Sequence, residues 1–312
     1  MTASTVLQLA PIGPLADGLL RDELQAVRLW EQAEGWLATH GASVGLLATS
    51  VRWGCDAAML AALPNLRAVS SWGVGYDTLD VAAAHARGIQ VANTPDVLDD
   101  CVADLAWGLL IAAARRIPAA DRYVSAGSWK VLGEFPLATR VSGKRLGILG
   151  LGRIGSAIAR RGEGFSMQVR YHGRGPKDVP YGFEPSLEAL AAWSDFLVVA
   201  CGGGTETRHL VSAPVLTALG PRGILVNIGR GSVVDQDALI AALDEGRLGG
   251  AGLDVLQGEP GAPDALRNRD NVVITPHVGS ATIETREAME RLVVDNLHAM
   301  LRDGRVLTPV LP

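Results

Sequence analysis

The sequence predicts an α/β protein built as two doubly wound parallel-sheet domains. Three observations carry that prediction. Short apolar runs of strand length alternate with helical patterns almost from end to end. The alternation breaks once, at Asn93-Thr94-Pro95, and then restarts over a longer block. Strand–helix alternation of this kind argues for parallel sheets with helices on both faces.

In the first third, TVLQLA, VGLLATS, LRAVSSWG and IQVANT read as short buried strands. DELQAVRLWEQ, DAAMLAAL and VAAAHARG read as the helices between them. After the break comes CVADLAWGLLIAAARRI, apolar nearly all the way round. Such a helix must be buried on more than one side, and is expected between domains, against a partner subunit, or both. The second block offers six strands: KRLGILG, MQVRYHG, DFLVVACG, ILVNIGRG, GAGLDVL and NVVITPH. SAIARRGEGF, SLEALAAW, APVLTALG and DQDALIAALDEG are its helices, and Gly246 stands where a helix-terminating glycine sits. A last helix, IETREAMERLVVDNLHAMLRD, returns to the first block. One domain is then 1–97 plus 284–312, and the other, 98–283, is inserted in it.

Composition narrows the function classes. The 312 residues suffice for two domains, and 48% hydrophobic with 20% charged residues is a globular balance. A net charge of −5 without a long basic run speaks against nucleic acid or an anionic membrane as partner. MTASTVLQLAPIGP has no basic stretch ahead of an apolar core, so it does not read as a secretory signal. No apolar run reaches bilayer length. Cys55, Cys101 and Cys201 are odd in number and widely spaced, which excludes a disulfide framework and fits a reducing cytoplasm. Zinc, phosphate-loop and serine-hydrolase signatures are missing, and no metal is expected.

The chemistry sits in the second block. Gly150, Leu151, Gly152, Arg153, Ile154 and Gly155 form G-x-G-x-x-G directly after one strand and before a helix. The first glycine permits the tight turn, the second lets a pyrophosphate approach the backbone, and the third lets helix and strand pack closely. Phosphates then rest on the N–H groups and positive end of the helix. About twenty positions on, an acidic residue would bind an adenine ribose 2′-hydroxyl. Here the strand ends in Tyr171, His172, Gly173 and Arg174, with Lys177 beyond and no carboxylate before Asp178. Arg174 and Lys177 can pair with a 2′-phosphate, Gly173 leaves room for it, and His172 can contact the ribose. NADP(H) is therefore preferred, with NAD(H) possible; the bland reading of Arg174 is a solvated loop arginine.

Three later strand ends carry Arg230, Asp254 and His277, and Glu259 follows in the loop Gln257-Gly258-Glu259-Pro260. Ligands bind outside the carboxyl ends of the strands in such sheets. A histidine, a carboxylate and an arginine there suit ketone reduction. The histidine donates a proton as hydride arrives, the carboxylate keeps it protonated, and the arginine holds a substrate carboxylate. Singly, each has a duller reading: a salt bridge, a solvated acid, a turn histidine. His40, His85, His209 and His298 lack an adjacent motif and read as surface or packing residues, and Trp129 and Phe135 as interface packing. Trp72 can line the substrate pocket or pack in the core, and Arg52 lies just beyond a strand end, where it can touch substrate.

The string Val226-Asn227-Ile228-Gly229-Arg230-Gly231-Ser232-Val233-Val234-Asp235 resembles a signature of the D-isomer-specific 2-hydroxyacid dehydrogenases. So do Gly252-Leu253-Asp254-Val255 with Gly258-Glu259-Pro260, Thr275-Pro276-His277-Val278-Gly279-Ser280, and Gly73-Val74-Gly75-Tyr76-Asp77. The resemblance implies a flavodoxin-like substrate domain and a Rossmann cofactor domain with the bounds given above. It implies Arg230, Glu259 and His277 as the catalytic set and Asp254 as a nicotinamide contact. Val74 and Gly75 are implied as the backbone that binds the substrate carboxylate, near Trp72 and Arg52. Cofactor contacts are implied from Cys201, Gly202, Thr207, Asn227, Ile228, Gly229, Gly279 and Ser280.

Tyr171-His172-Gly173-Arg174 and Phe135-Pro136-Leu137 look most like the NADPH-preferring glyoxylate/hydroxypyruvate and hydroxyphenylpyruvate reductases of that family. One departure is Cys201-Gly202-Gly203-Gly204, where most relatives have a proline after the strand; the triple glycine should make this loop more mobile. The expected partner is a small 2-keto acid, with a homodimer as the assembly. The alternatives are an NAD-dependent enzyme for a larger substrate and a non-catalytic nucleotide-sensing protein.

Overall fold

The protein is described by a computed structural model over residues 5–311; residues 1–4, where the N-terminal stretch read above begins, and 312 lie outside the described residues. The chain forms two compact units, 1–98 with 280–312 and 99–279. The crossings fall between Leu98 and Asp99 and between Gly279 and Ser280, slightly later and slightly earlier than the expected bounds.

The first unit runs β1 (Thr5–Gln8), α1 (Pro14–Asp22), β2 (Val27–Arg28), α2 (Trp36–His40), β3 (Val44–Ser50), α3 (Ala57–Ala62), β4 (Ala68–Trp72), α4 (Val81–Ala86) and β5 (Gln90–Ala92). Its sheet has the order β2-β1-β3-β4-β5, wholly parallel, which is the flavodoxin-like arrangement. Every residue of β3 is buried, as a strand covered on both faces requires. Asp56 and Asp80 cap α3 and α4 by accepting the Met59 and Ala83 N–H groups. The segment DELQAVRLWEQ is not the helix expected. The helix lies earlier, started by Pro14 and ended at Asp22, after which Gln25 turns the chain with φ 50°. Val27 then pairs with Leu7 as an edge strand. Its short apolar run fits either period, and burial beside β1 decides.

The second unit begins with α5 (Asp99–Ala114) and α6 (Ile117–Ser125). It continues through β6 (Arg145–Leu149), α7 (Arg153–Gly164), β7 (Gln168–His172), β8 (Gly182–Phe183), α8 (Leu187–Trp193), β9 (Phe196–Val199), α9 (Ala213–Leu219), β10 (Ile224–Asn227), α10 (Gln236–Asp244), β11 (Gly250–Leu253) and β12 (Val272–Ile274). The parallel order β12-β11-β10-β9-β6-β7-β8 is the Rossmann arrangement with its switch point between β6 and β9. Strand β8 exceeds the six expected; two residues paired beside Arg170 and Tyr171 are too few to show a period.

Helix α5 finds its two-sided burial inside this unit. Trp107 stacks on Phe165 at 4.4 Å and donates its indole N–H to the Ile158 carbonyl. On the sheet side, a Cβ at Gly252 would stand 3.0 Å from Leu109 Cβ. Its apolar character therefore does not require a partner subunit. Exposed apolar side chains lie instead on the stretch that follows, at Ile117, Val124, Trp129, Val131, Leu132 and Leu137.

The last helix, α11 (Ile283–Asp303), belongs to the first unit. It packs on α1 and β4. Its buried Glu290 accepts the Ala16 N–H at 2.9 Å and so caps the start of α1.

Candidate active site

The glycine loop lies at the switch point. Gly150 has φ +95°, and a Cβ on Gly155 would sit 2.1 Å from the Gly150 carbonyl oxygen. Turn and close packing thus both demand glycine. The turn delivers the first N–H groups of α7, which have no partners inside the helix, to the carboxyl end of β6. The loop after β9 touches it there, since a Cβ on Gly150 would lie 2.8 Å from the Cys201 backbone. Burial pushes the Cys201 thiol up to about 11.

At the end of β7, His172 donates its Nδ1–H to the Glu184 carbonyl at 2.9 Å. A Cβ on Gly173 would meet open space, and Arg174 is exposed beside it. Lys177 is differently placed: its ammonium donates to the Leu151 carbonyl at 2.6 Å, and its backbone N–H to the buried Tyr171 hydroxyl at 2.6 Å. Lys177 therefore pins the glycine loop. These residues fit a dinucleotide, with room and charge for a 2′-phosphate at Gly173 and Arg174.

After β10, the buried Asn227 builds the turn that presents Arg230. Its Oδ1 accepts the Gly229 N–H at 3.1 Å and its Nδ2 donates to the Arg230 carbonyl at 3.0 Å. A Cβ on Gly229 would stand 2.5 Å from the Cys201 carbonyl, and one on Gly231 2.0 Å from that of Leu256. Glycines thus let three strand-end loops nest. Ile228 is buried beneath the turn, and Thr207 ends a short 3-10 turn in the loop after β9.

Asp254, at the end of β11, is buried and commits its carboxylate to the His277 loop. Oδ1 accepts from the Thr275 hydroxyl at 2.6 Å and the Val278 N–H at 2.8 Å, and Oδ2 from the Gly279 N–H at 2.8 Å. That anchoring, invisible in sequence, holds His277 in a left-handed conformation, φ 53°. His277 Nδ1 then lies 2.7 Å from Glu259 Oε2, while Glu259 Oε1 accepts the Leu256 N–H at 2.8 Å. Burial works against the Glu259 charge. The bonds from His277 and Leu256, with Arg230 nearby, outweigh it and hold the carboxyl below its ordinary value. Arg230, Glu259 and His277 line one open cavity of about 350 Å³ with Arg208, Ser232 and Gln257. Among the described residues no cluster could hold a metal ion.

The remaining expected residues lie in the first unit. Trp72 ends β4 beneath the Arg286 guanidinium, 4.4 Å from the ring centroid. Asn93 Nδ2 donates to the Val74 carbonyl at 2.8 Å, and the Gly73 N–H to the Thr94 hydroxyl at 3.0 Å, which shapes the Val74-Gly75 loop. Arg52 is exposed after β3. Ser280, expected with the cofactor residues, falls in the first unit, where its carbonyl accepts Arg286 Nε at 3.1 Å.

A family model for the D-isomer specific 2-hydroxyacid dehydrogenase NAD binding domain matches residues 107–279. Over the full length of both chains, the protein is 48% identical to glyoxylate/hydroxypyruvate reductase A of Arabidopsis thaliana. It is 46% identical, again over both full lengths, to hydroxyphenylpyruvate reductase of Plectranthus scutellarioides. It superposes with a TM-score of 0.91 on the NADPH-dependent glyoxylate/hydroxypyruvate reductase of Sinorhizobium meliloti in complex with NADP and malonate. That match has 43% identity and covers 99% of this chain and 97% of that one. With the dinucleotide turn, the Arg–Glu–His cavity and these full-length matches agreeing, the chain belongs to the D-isomer-specific 2-hydroxyacid dehydrogenase family.

Proposed function

We propose that the protein reduces small 2-keto acids, glyoxylate and hydroxypyruvate first among them, to D-2-hydroxy acids with NADPH. The carrying observation is the 2.7 Å His277–Glu259 pair facing one cavity with Arg230. Glu259 fixes the proton of His277 on Nδ1, so Nε2 is the nitrogen that exchanges a proton with a substrate oxygen. Its negative charge stabilises the imidazolium that carries this proton, and the Arg230 guanidinium pairs with the substrate carboxylate. NADPH, when bound, supplies the hydride to the carbonyl carbon. Gly150, Gly152 and Gly155 hold the pyrophosphate and Arg174 the 2′-phosphate. In this reading the second unit binds cofactor and the first binds substrate through the Val74-Gly75 backbone.

The test is the loss of reduced-nicotinamide absorbance when the protein is mixed with NADPH and a panel of glyoxylate, hydroxypyruvate, phenylpyruvate and 2-ketogluconate. Glyoxylate or hydroxypyruvate should give the highest kcat/KM, and the His277→Ala variant should bind NADPH yet turn over nothing. Undiminished turnover in that variant defeats the mechanism.

Two copies associate, in the same reading, through the stretch from Ile117 to Leu137, whose six exposed apolar side chains are otherwise left to water. Light scattering of the purified protein decides this, a monomer at micromolar concentration being the contrary result. The three free cysteines fit a reducing, cytoplasmic setting. No helix among the described residues is long and apolar enough to cross a membrane.

A further inference from the structure

Gln257 and His209 join the loop of the acid pair to the loop of the arginine. A carbonyl oxygen only accepts, so the Gln257 atom 2.8 Å from the Val234 oxygen is its amide nitrogen. That same nitrogen stands 2.8 Å from His209 Nε2. With one amide hydrogen given to Val234, the other points to His209, and Nε2 must supply a lone pair. The ring proton is then on Nδ1, the side of the Asp235 carboxylate, 4.0 Å away.

Both ends of this contact are tied to the chemistry. The His209 backbone N–H donates to the Ser232 carbonyl at 2.9 Å and the Val211 backbone N–H to that of Val233 at 3.0 Å. The histidine is thereby stitched to the turn leaving Arg230. Gln257 adjoins Leu256, whose N–H holds Glu259, and its own N–H donates to Gln236 Oε1 at 3.0 Å. The loops after β9, β10 and β11 thus meet at one side-chain pair, of which Gln257 also lines the cavity.

We propose that His209, as its neutral Nδ1–H tautomer, is a positioning residue that acts through Gln257 to hold Glu259 and His277 in register with Arg230. The Asp235 carboxylate faces Nδ1 at 4.0 Å, and Arg208 precedes His209 in the chain. A proton on Nε2 would set two donors against each other and open the brace. The proposal rests on the keto-acid reductase reading for its kinetic consequences but not for the tautomer.

Two measurements test it, and they separate it from that reading. Heteronuclear NMR of histidine rings in the wild-type protein, with the His209 signals identified by their loss in His209→Gln, should show the Nδ1–H tautomer at neutral pH. A proton on Nε2 overturns the brace whatever the enzyme reduces. In turnover, Gln257→Met and His209→Leu should lower kcat roughly tenfold to a hundredfold, with NADPH affinity unchanged. His209→Gln, whose amide oxygen reaches the place of Nε2 and can accept the Gln257 amide hydrogen, should restore most of kcat. Wild-type kcat in Gln257→Met, or a His209→Gln kcat identical to that of His209→Leu, overturns the proposal. A wild-type protein inert towards every keto acid in the panel defeats the functional reading instead.

Discussion

Glu259 is gripped at both oxygens, by the His277 ring at 2.7 Å and by the Leu256 N–H at 2.8 Å. The grip fixes the sign of a pH effect. Although burial raises the carboxyl's pKa, the two bonds and Arg230 lower it further, to below the ordinary 4.5. A carboxylate depressed by folding contributes stability that is fully present above its unfolded value and lost as pH falls through the folded one. Thermal midpoints of wild type and Glu259→Gln should therefore differ above about pH 4.5 and converge in more acid solution. At neutral pH the same variant should lose roughly a hundredfold to ten-thousandfold in kcat. Stability curves that stay parallel into acid would show that the grip carries no such linkage.

Asp254 gives a second prediction, because its two oxygens take three donors from the loop that carries His277. Asp254→Asn puts an amide N–H₂ where an N–H or hydroxyl must be accepted. It should cost about 1–3 kcal/mol in stability and lower kcat more than it weakens NADPH binding. Denaturant unfolding and a cofactor titration check the two parts. Loss of NADPH affinity without loss of kcat would instead favour the direct cofactor contact that the family resemblance implies.

The sequence made legible whatever a local pattern encodes. Gly150 and Gly155 mark a turn because backbone sterics demand glycine there, and the buried strands announce themselves as apolar runs. Arg230, Asp254 and His277 stand out as polar residues at the ends of such runs, and Glu259 follows in the loop after Asp254. What stayed hidden depends on contacts distant in sequence. Val27 becomes a strand only because Leu7 lies beside it. His209 carries no adjacent motif, and its bond to Gln257 spans a separation of 48 residues. Lys177 is chemically as good a phosphate ligand as Arg174, and only the fold shows its ammonium on the Leu151 carbonyl.

That difference between the two cations yields a third prediction. Arg174 is exposed at the end of β7 next to the open space at Gly173, whereas Lys177 holds the glycine loop. Arg174→Ala should weaken NADPH roughly tenfold or more and leave NADH nearly unchanged, a charge-assisted phosphate contact being worth about 1.5–3 kcal/mol. Lys177→Met should weaken both cofactors alike, because the pyrophosphate turn is common to them. Fluorescence titration of the four variant–cofactor pairs decides; an equal loss of both cofactors in Arg174→Ala removes the argument for the 2′-phosphate.

Gly203, in the loop Cys201-Gly202-Gly203-Gly204, has a physical reason to be glycine. A Cβ there would stand 2.9 Å from Arg230 Cγ, 3.4 Å from its Cβ and 3.6 Å from Ser232 Oγ. The clash falls on the stem of the arginine, close to the backbone, where a rotamer change swings the guanidinium away. Arg230 cannot retreat through its own backbone either, since Asn227 bonds its carbonyl and Gly231 lies against the Leu256 carbonyl. Gly203→Ala should thus displace the Arg230 guanidinium, proposed to pair with the substrate carboxylate, while leaving the glycine loop at Gly150 to Gly155 in place. Overpacking of this kind costs about 1–3 kcal/mol, which corresponds to a rise of roughly fivefold to a hundredfold in KM for the keto acid. NADPH affinity should stay within error of the wild type. Steady-state kinetics with glyoxylate and hydroxypyruvate provide the measurement. An unchanged KM would mean that the triple-glycine loop absorbs the methyl group and leaves Arg230 in place.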